Sequence, residues 1–143
     1  MSSATSWEVV WVGKTNSHVL DQVANGVFDE SIKPDRLQRY LSNPANLMVV
    51  AVSDDTVIGQ CMCVVHDHPD KATELYLDEI GTGDDWRRLG VAKSLMDAVF
   101  AKADELKIDE IWLGTEPDNI AARGLYEKTG AKGEEALIYY LEW

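Results

Sequence analysis

The run Ile80–Lys93, IGTGDDWRRLGVAK, decides how the rest of the chain is read. It stands between two patterns of different period. Upstream, ELYLDEIGT (74–82) alternates, with Leu75 and Leu77 on one side, as a half-buried strand does. The alternation shifts at Glu79, Ile80 and Gly81, which predicts a β-bulge. Downstream, Leu89, Ala92, Leu95, Met96, Val99, Ala103 and Leu106 recur at intervals of three and four, predicting an amphipathic helix of about five turns. The run is therefore a loop entering a helix. The first N–H groups of a helix lack internal partners and carry the positive end of its dipole. Gly90 and Ala92 keep bulk away from that turn, and Arg87, Arg88 and Lys93 surround it with positive charge. These features describe an anion seat, and equally a plain helix start with surface arginines. A Walker loop is absent, and after Gly81 and Gly83 the third glycine is wrongly spaced for a dinucleotide fingerprint.

Working outward, WEVVWV (7–12) reads as a first strand. Asn16 or Ser17 caps a short helix through His18, Val19, Leu20, Val23 and Ala24, which Gly26 ends. Pro34 opens a second helix carrying Leu37, Tyr40 and Leu41 as far as Pro44. LMVVAVSD (47–54) and TVIGQCMCVVH (56–66) flank Asp54-Asp55 as a hairpin, and HDHPDKA is a polar loop. Beyond the long helix, DEIWLGTE (109–116) is a strand. Asp118 or Asn119 then caps a helix bearing Ala121, Ala122, Leu125 and Tyr126, with Gly130 just past its end. ALIYYLEW (136–143) is a last strand. Strands alternate with helices only in the second half. That predicts an α/β chain with a mixed sheet and helices on both faces.

At 143 residues, the expectation is one domain over 1–143. A net charge of −12 argues against a nucleic-acid or anionic-membrane partner. It suits a cationic substrate, and equally simple solubility. Cys61 and Cys63 share one strand face and are too few for a disulfide framework. His66 and His68, in H-D-H, read as plain surface beside the strand, and no metal is expected. MSSATSWEVVWVGK has no signal-peptide core and no apolar run approaches a membrane span, so the expected location is cytoplasmic.

The combination of R-x-x-G-x-A at Arg87, Gly90 and Ala92, a long helix, a strand, and N-x-x-A-x-x-x-Y-x-x-x-G at Asn119, Ala122, Tyr126 and Gly130 resembles the GNAT acyltransferase superfamily. The resemblance covers the whole element order and is most specific over 74–131. It implies an α/β (α+β) GNAT fold: a mixed sheet of six to seven strands, with parallel splayed fourth and fifth strands, flanked by about four helices. It also implies an acetyl-coenzyme A-dependent N-acetyltransferase without a metal. The pantetheine arm would pair with Ile80, Gly81 and Thr82. The pyrophosphate would sit on the N–H groups of Arg88, Leu89, Gly90, Val91 and Ala92, beside Arg87 and Lys93, with Asn119 and Ala122 as further motif positions. The bulge would aim a backbone N–H at the thioester carbonyl. Tyr126 would protonate the departing thiolate, as a phenol of pKa about 10 can for a thiol near 8.5.

The attacking amine must lose a proton, and Glu79 is the preferred base, with Asp78 or a water as alternatives. Phe28, Asp29 and Glu30 add a looser likeness to the aminoglycoside 3-N-acetyltransferase-like branch, and with Glu116 they are candidate substrate contacts. A small-molecule amine is the first acceptor, and a polyamine, a peptide lysine or an N-terminal amine is the alternative. A reading of another class is a non-catalytic acyl-coenzyme A sensor. Trp143 and the aromatic last strand suggest pairing across a homodimer.

Overall fold

Asp54 and Asp55 both adopt left-handed backbone, with φ of 48° and 62°. Two such residues in succession make the turn whose twist matches an antiparallel pair, and aspartate tolerates that region. They join β2 (Asn46–Ser53) to β3 (Thr56–His66), as the sequence predicts. β1 (Glu8–Val12), β4 (Glu74–Thr82) and β5 (Glu110–Trp112) complete a sheet in the order β1-β2-β3-β4-β5. The first four strands are antiparallel neighbours, and β5 runs parallel to β4. These relations come from a computed structural model that describes residues 6–143; Met1–Thr5, part of the stretch read as lacking a leader, lie outside the described residues. The chain divides into two compact units, one ending at Leu113 and the other Gly114–Trp143.

In the first unit each sheet face has its own cover. Val49, Cys61, Cys63, Leu75 and Leu77 share one face and are buried. α2 (Val91–Leu106) packs there through Val91, Leu95, Met96, Val99 and Ala103. A fully buried side chain of this kind contributes roughly 1.5–3 kcal/mol. The helix approaches so closely that a Cβ on Gly59 would lie 2.6 Å from Val91 Cγ1. Cys61 and Cys63 are buried free thiols with sulfurs 3.9 Å apart. The opposite face holds Met48, Val50 and Val57, packed with Leu20, Val27, Phe28, Leu37 and Tyr40. α1 (Pro34–Ser42) covers part of it, and its Tyr40 hydroxyl donates to the Leu47 carbonyl at 2.7 Å.

Three expectations need correction. The first short helix is only a 3-10 turn, Ser17–Asp21. The chain then straightens. Ala24 N–H donates to Val57 O and Val57 N–H to Gln22 O, both at 2.9 Å. β4 reaches β3 only as far as Gly59, so Val57 has backbone groups to satisfy, and residues 22–24 satisfy them. Second, α2 begins at Val91, and Leu89 lies before it, 45% exposed rather than on the apolar stripe. Third, the described residues form five strands, three α-helices and two 3-10 turns, not six to seven strands and four helices. Residues 136–143 carry no regular structure, and Leu137, Tyr139, Tyr140 and Leu141 are all more than 80% exposed. Their β propensity is high, but a strand requires a ladder, and they join none. β5 likewise covers only three of the eight residues read as a strand at 109–116.

In the second unit, α3 (Ile120–Lys128) is capped as the sequence predicts: Asn119 Oδ1 accepts from Ala122 N–H at 3.1 Å. Gly130, at φ +94°, ends it, with Gly130 N–H on Glu127 O and Ala131 N–H on Tyr126 O. That paired arrangement is the Schellman stop. No helix among the described residues is long and apolar enough to cross a membrane.

Candidate active site

β5 pairs with β4 only from Glu74 to Tyr76. From Leu77 to Thr82, β4 keeps β3 on one side and has no strand partner on the other among the described residues. The two parallel strands therefore part company halfway along β4, leaving an open backbone edge that includes Ile80, Gly81 and Thr82.

The bulge lies inside that open half. Cys63 faces Leu77 and Met62 faces Glu79, so Asp78 is the extra residue, one position before the expected shift. In an unbroken strand Glu79 would follow Leu77 onto the apolar face beneath α2. The extra residue turns it to the other face, beside Gln60 and Met62. Gln60 is fully buried, and its Nε2 donates to Glu79 Oε2 at 2.7 Å and to Val27 O at 3.2 Å. The Gln60 Oε1 atom is buried with no hydrogen-bond partner among the described residues. Partial burial pushes the Glu79 carboxyl above its ordinary range. The nearby charges of Asp29 and Asp78 push the same way, and the Gln60 hydrogen bond opposes them. Asp78 itself is exposed. Burial likewise pushes the Tyr40 phenol up, helped by Cys63, Asp78, Cys61 and Glu79, so it stays protonated.

The Phe28-Asp29-Glu30 segment is held close by backbone. A Cβ on Gly81 would lie 2.2 Å from Val27 O, so only glycine allows this loop to sit on β4. Phe28 packs toward the core, while Asp29 and Glu30 are exposed.

The basic run forms the entrance to α2. A 3-10 turn, Asp84–Trp86, precedes it. Arg88 and Gly90 are both left-handed, at φ +65° and +97°, and Gly90 is the helix cap without a side-chain cap bond. Nothing lies within 4 Å of where a Gly90 Cβ would stand. Arg87, Arg88, Leu89 and Gly90 are exposed, Val91 is buried and Ala92 is half-buried. Arg87 pairs with Asp84 at 3.2 Å and Lys93 with Asp97 at 3.0 Å. Exposed pairs of this kind are worth about 0–1 kcal/mol, so both cations can turn to another anion. An uncapped helix start, an exposed loop and three cations suit a pyrophosphate, and the open β4 edge suits an extended amide-bearing arm. The residues present thus fit coenzyme A.

The second unit carries Asn119, Ala122 and Tyr126 on or at the start of α3, and an exposed Glu116 ahead of it. Asn119 is occupied as the cap, and Ala122 N–H is the group it caps. Two residues of the site escaped the sequence reading. Gln60 was detectable as the single amide in the apolar run TVIGQCMCVVH. Tyr40 had only helical spacing to show, and its link to Leu47 required the fold.

The chain matches the acetyltransferase (GNAT) family over residues 17–131 and belongs to it. It is 30% identical over 105 residues to the uncharacterized N-acetyltransferase Rv2669 of Mycobacterium tuberculosis, covering 73% of this chain and 64% of that protein. It is 32% identical over 85 residues to N-alpha-acetyltransferase 30 of Saccharomyces cerevisiae, covering 59% of this chain and 48% of that one. The matches thus span less than two-thirds of these relatives' own lengths. Among solved structures, the aminoglycoside acetyltransferase meta-AAC0020 from an uncultured soil metagenomic sample, in complex with trehalose, superposes with a TM-score of 0.78 at 15% identity over 99% of each chain. AAC(6')-Iy, in complex with a bisubstrate analogue, gives 0.76 at 20% identity over 96% of this chain and 99% of that one. At these identities the likeness is one of fold.

Proposed function

We propose that this chain transfers the acetyl group of acetyl-coenzyme A to a primary amine by direct attack within a ternary complex. The observation that carries the reading is the bulge at Asp78, which turns Glu79 out of the apolar face beside the open half of β4. An amine of pKa near 10 is mostly protonated at neutral pH and must be deprotonated before it attacks. Glu79 takes that proton, directly or through one water. Its raised affinity for a proton favours this step, because a base works best when its pKa approaches the working pH. Ile80, Gly81 and Thr82 offer backbone to the pantetheine arm, as an added strand would use it. The N–H groups from Arg88 to Ala92 bind pyrophosphate, with Arg87 and Lys93 beside them. Coenzyme A supplies the acetyl group as a thioester. The amine nitrogen bonds to its carbonyl carbon, the carbon–sulfur bond breaks, and Tyr126 gives its phenolic proton to the departing thiolate. This role for Tyr126, like those for Asn119 and Ala122, rests on the family motif.

For the acceptor, we propose a small polycationic amine. Asp29 and Asp78 bear on Glu79 electrostatically, and Glu30 follows on the same loop, so this face is acidic. An aminoglycoside or a polyamine has the complementary charge. The finer assignment to a 3-N-acetylating branch is not favoured, since AAC(6')-Iy also shares the fold. The partial similarity to an N-alpha-acetyltransferase favours a peptide N-terminal amine as the second acceptor. A thiol-release assay with acetyl-coenzyme A tests this against aminoglycosides, polyamines, amino acids and short peptides. Release with the polycationic small molecules supports the reading. Binding of coenzyme A without release across the panel would favour an acyl-coenzyme A sensor instead.

A further inference from the structure

The opposite end of β4 gathers a second set of polar side chains that acyl transfer does not use. His66 ends β3, Glu74 begins β4, and the two are register partners. His68 stands in the intervening loop. One ligand atom from each of His66, His68 and Glu74 lies within 4.8 Å of the others. His68 Nε2 is 3.4 Å from Glu74 Oε1, and its side chain is only 13% exposed. That nitrogen is buried and faces the Glu74 carboxylate without a well-aligned hydrogen bond among the described residues. A buried imidazole nitrogen satisfied only by one long contact to a carboxylate calls for an explanation. The His66 and His68 rings lie against each other, with centroids 4.3 Å apart. The loop is fixed by its own contact, Thr73 Oγ1 donating to Asp67 Oδ1 at 2.6 Å. Glu110 on β5 is the register neighbour of Glu74, and their carboxyls interact.

We infer that the β3–β4 turn is a binding site for a divalent first-row transition ion, with zinc(II) as the best fit, held by His66, His68 and Glu74. Two imidazoles and a carboxylate are the donors that zinc accepts, whereas magnesium demands oxygen alone. With zinc–ligand bonds of about 2.0–2.1 Å, ligands at the corners of a tetrahedron stand about 3.4 Å apart. His68 and Glu74 already have that separation. The widest pair closes by side-chain rotation of the exposed His66. Glu110 or a water takes the fourth position. The ion neutralises the carboxylates, gives the buried His68 nitrogen a short bond in place of a long contact, and ties the loop to the sheet. Five steps along the strand, about 16 Å at ~3.3 Å each, separate Glu74 from Glu79, too far for the ion to touch the reacting groups.

The test is a calorimetric titration of the tag-free, chelator-treated full chain with zinc chloride, and in parallel with magnesium chloride. The expected result is one saturable zinc site and no magnesium binding. His66→Ala, which alters an exposed side chain, and Glu74→Gln should each weaken zinc by at least ~10-fold. His18→Ala, which removes the one histidine outside the cluster, should leave it unchanged. Zinc at about 100 times its Kd should also raise Tm by about 5–10 °C in the wild type and not in the His66→Ala/His68→Ala double variant. Absence of a saturable site, or a site that the cluster variants leave intact, overturns the inference.

Discussion

The two ends of β4 carry the same residue type in opposite surroundings. At Glu74 the strand is paired on both sides, by His66 on β3 and Glu110 on β5. At Glu79 one side is open and a bulge has just displaced the alternation. Desolvation raises both carboxyls. At Glu74 the contact with His68 and the charge of Lys71 outweigh it, and the carboxyl sits below its ordinary range. At Glu79 the charges of Asp29 and Asp78 add to it, and the carboxyl ends above that range. One end of the strand is built to keep a negative charge and the other to take up a proton. The strand and the residue type are the same, and the difference lies in the neighbours: His68 and Lys71 at Glu74, Asp29 and Asp78 at Glu79.

The largest expected effect lies beside the proton-accepting end, at the anion seat. Gly90→Glu places bulk and negative charge at the uncapped start of α2. Two lost charge-assisted hydrogen bonds correspond to a coenzyme A affinity lower by about 10²–10⁴-fold, read by calorimetry. Unchanged affinity in a folded Gly90→Glu chain would remove the pyrophosphate from this loop. Next is Glu79→Gln, which keeps the Gln60 neighbour but cannot accept a proton. It should lower kcat/KM by about 10²–10³-fold and abolish the acid limb of the pH profile. Tyr126→Phe should lower kcat by about 10–10²-fold with coenzyme A affinity little changed. Equal losses in both would mark a packing role instead.

The smallest effect tests the source of the contrast. Asp29→Asn removes one of the charges that raise the Glu79 carboxyl, with Asp78, Gln60 and Tyr40 still facing it. The acid limb of kcat/KM should move to lower pH by a fraction of a unit, and a shift upward would contradict the electrostatic account. The stability linkage has a definite sign. Between its ordinary pKa and its raised folded value, Glu79 holds more protons in the native state than in the unfolded one. Its contribution to stability therefore falls as pH rises through that window, and Glu79→Gln should remove this slope from a Tm-against-pH series.

Most of the scaffold was legible because it is local. The Asp54-Asp55 turn, the bounds of β4, the Pro34 helix start and the Asn119 and Gly130 caps each follow from neighbouring residues. What escaped depends on distant partners. Residues 22–24 give up helix because Val57 has backbone groups to satisfy. The bulge was legible as a break in alternation, but its position at Asp78 is set by register with Met62 and Cys63. The H-D-H segment read as surface because Glu74, six residues beyond His68, joins it only through strand pairing. For the 136–143 segment, composition argued for a strand, and composition supplies no partner.

The central claim is that the bulge makes Glu79, and not its neighbour, the proton acceptor for the amine. The most direct measurement is the pH dependence of kcat/KM for acetyl-coenzyme A-dependent thiol release in the wild type, Glu79→Gln and Asp78→Asn chains. The account predicts that Asp78→Asn keeps an acid limb, moved slightly to lower pH, with activity within about threefold of wild type, while Glu79→Gln loses the limb and ~10²-fold or more in rate. An intact acid limb in Glu79→Gln, or its loss in Asp78→Asn, would contradict it.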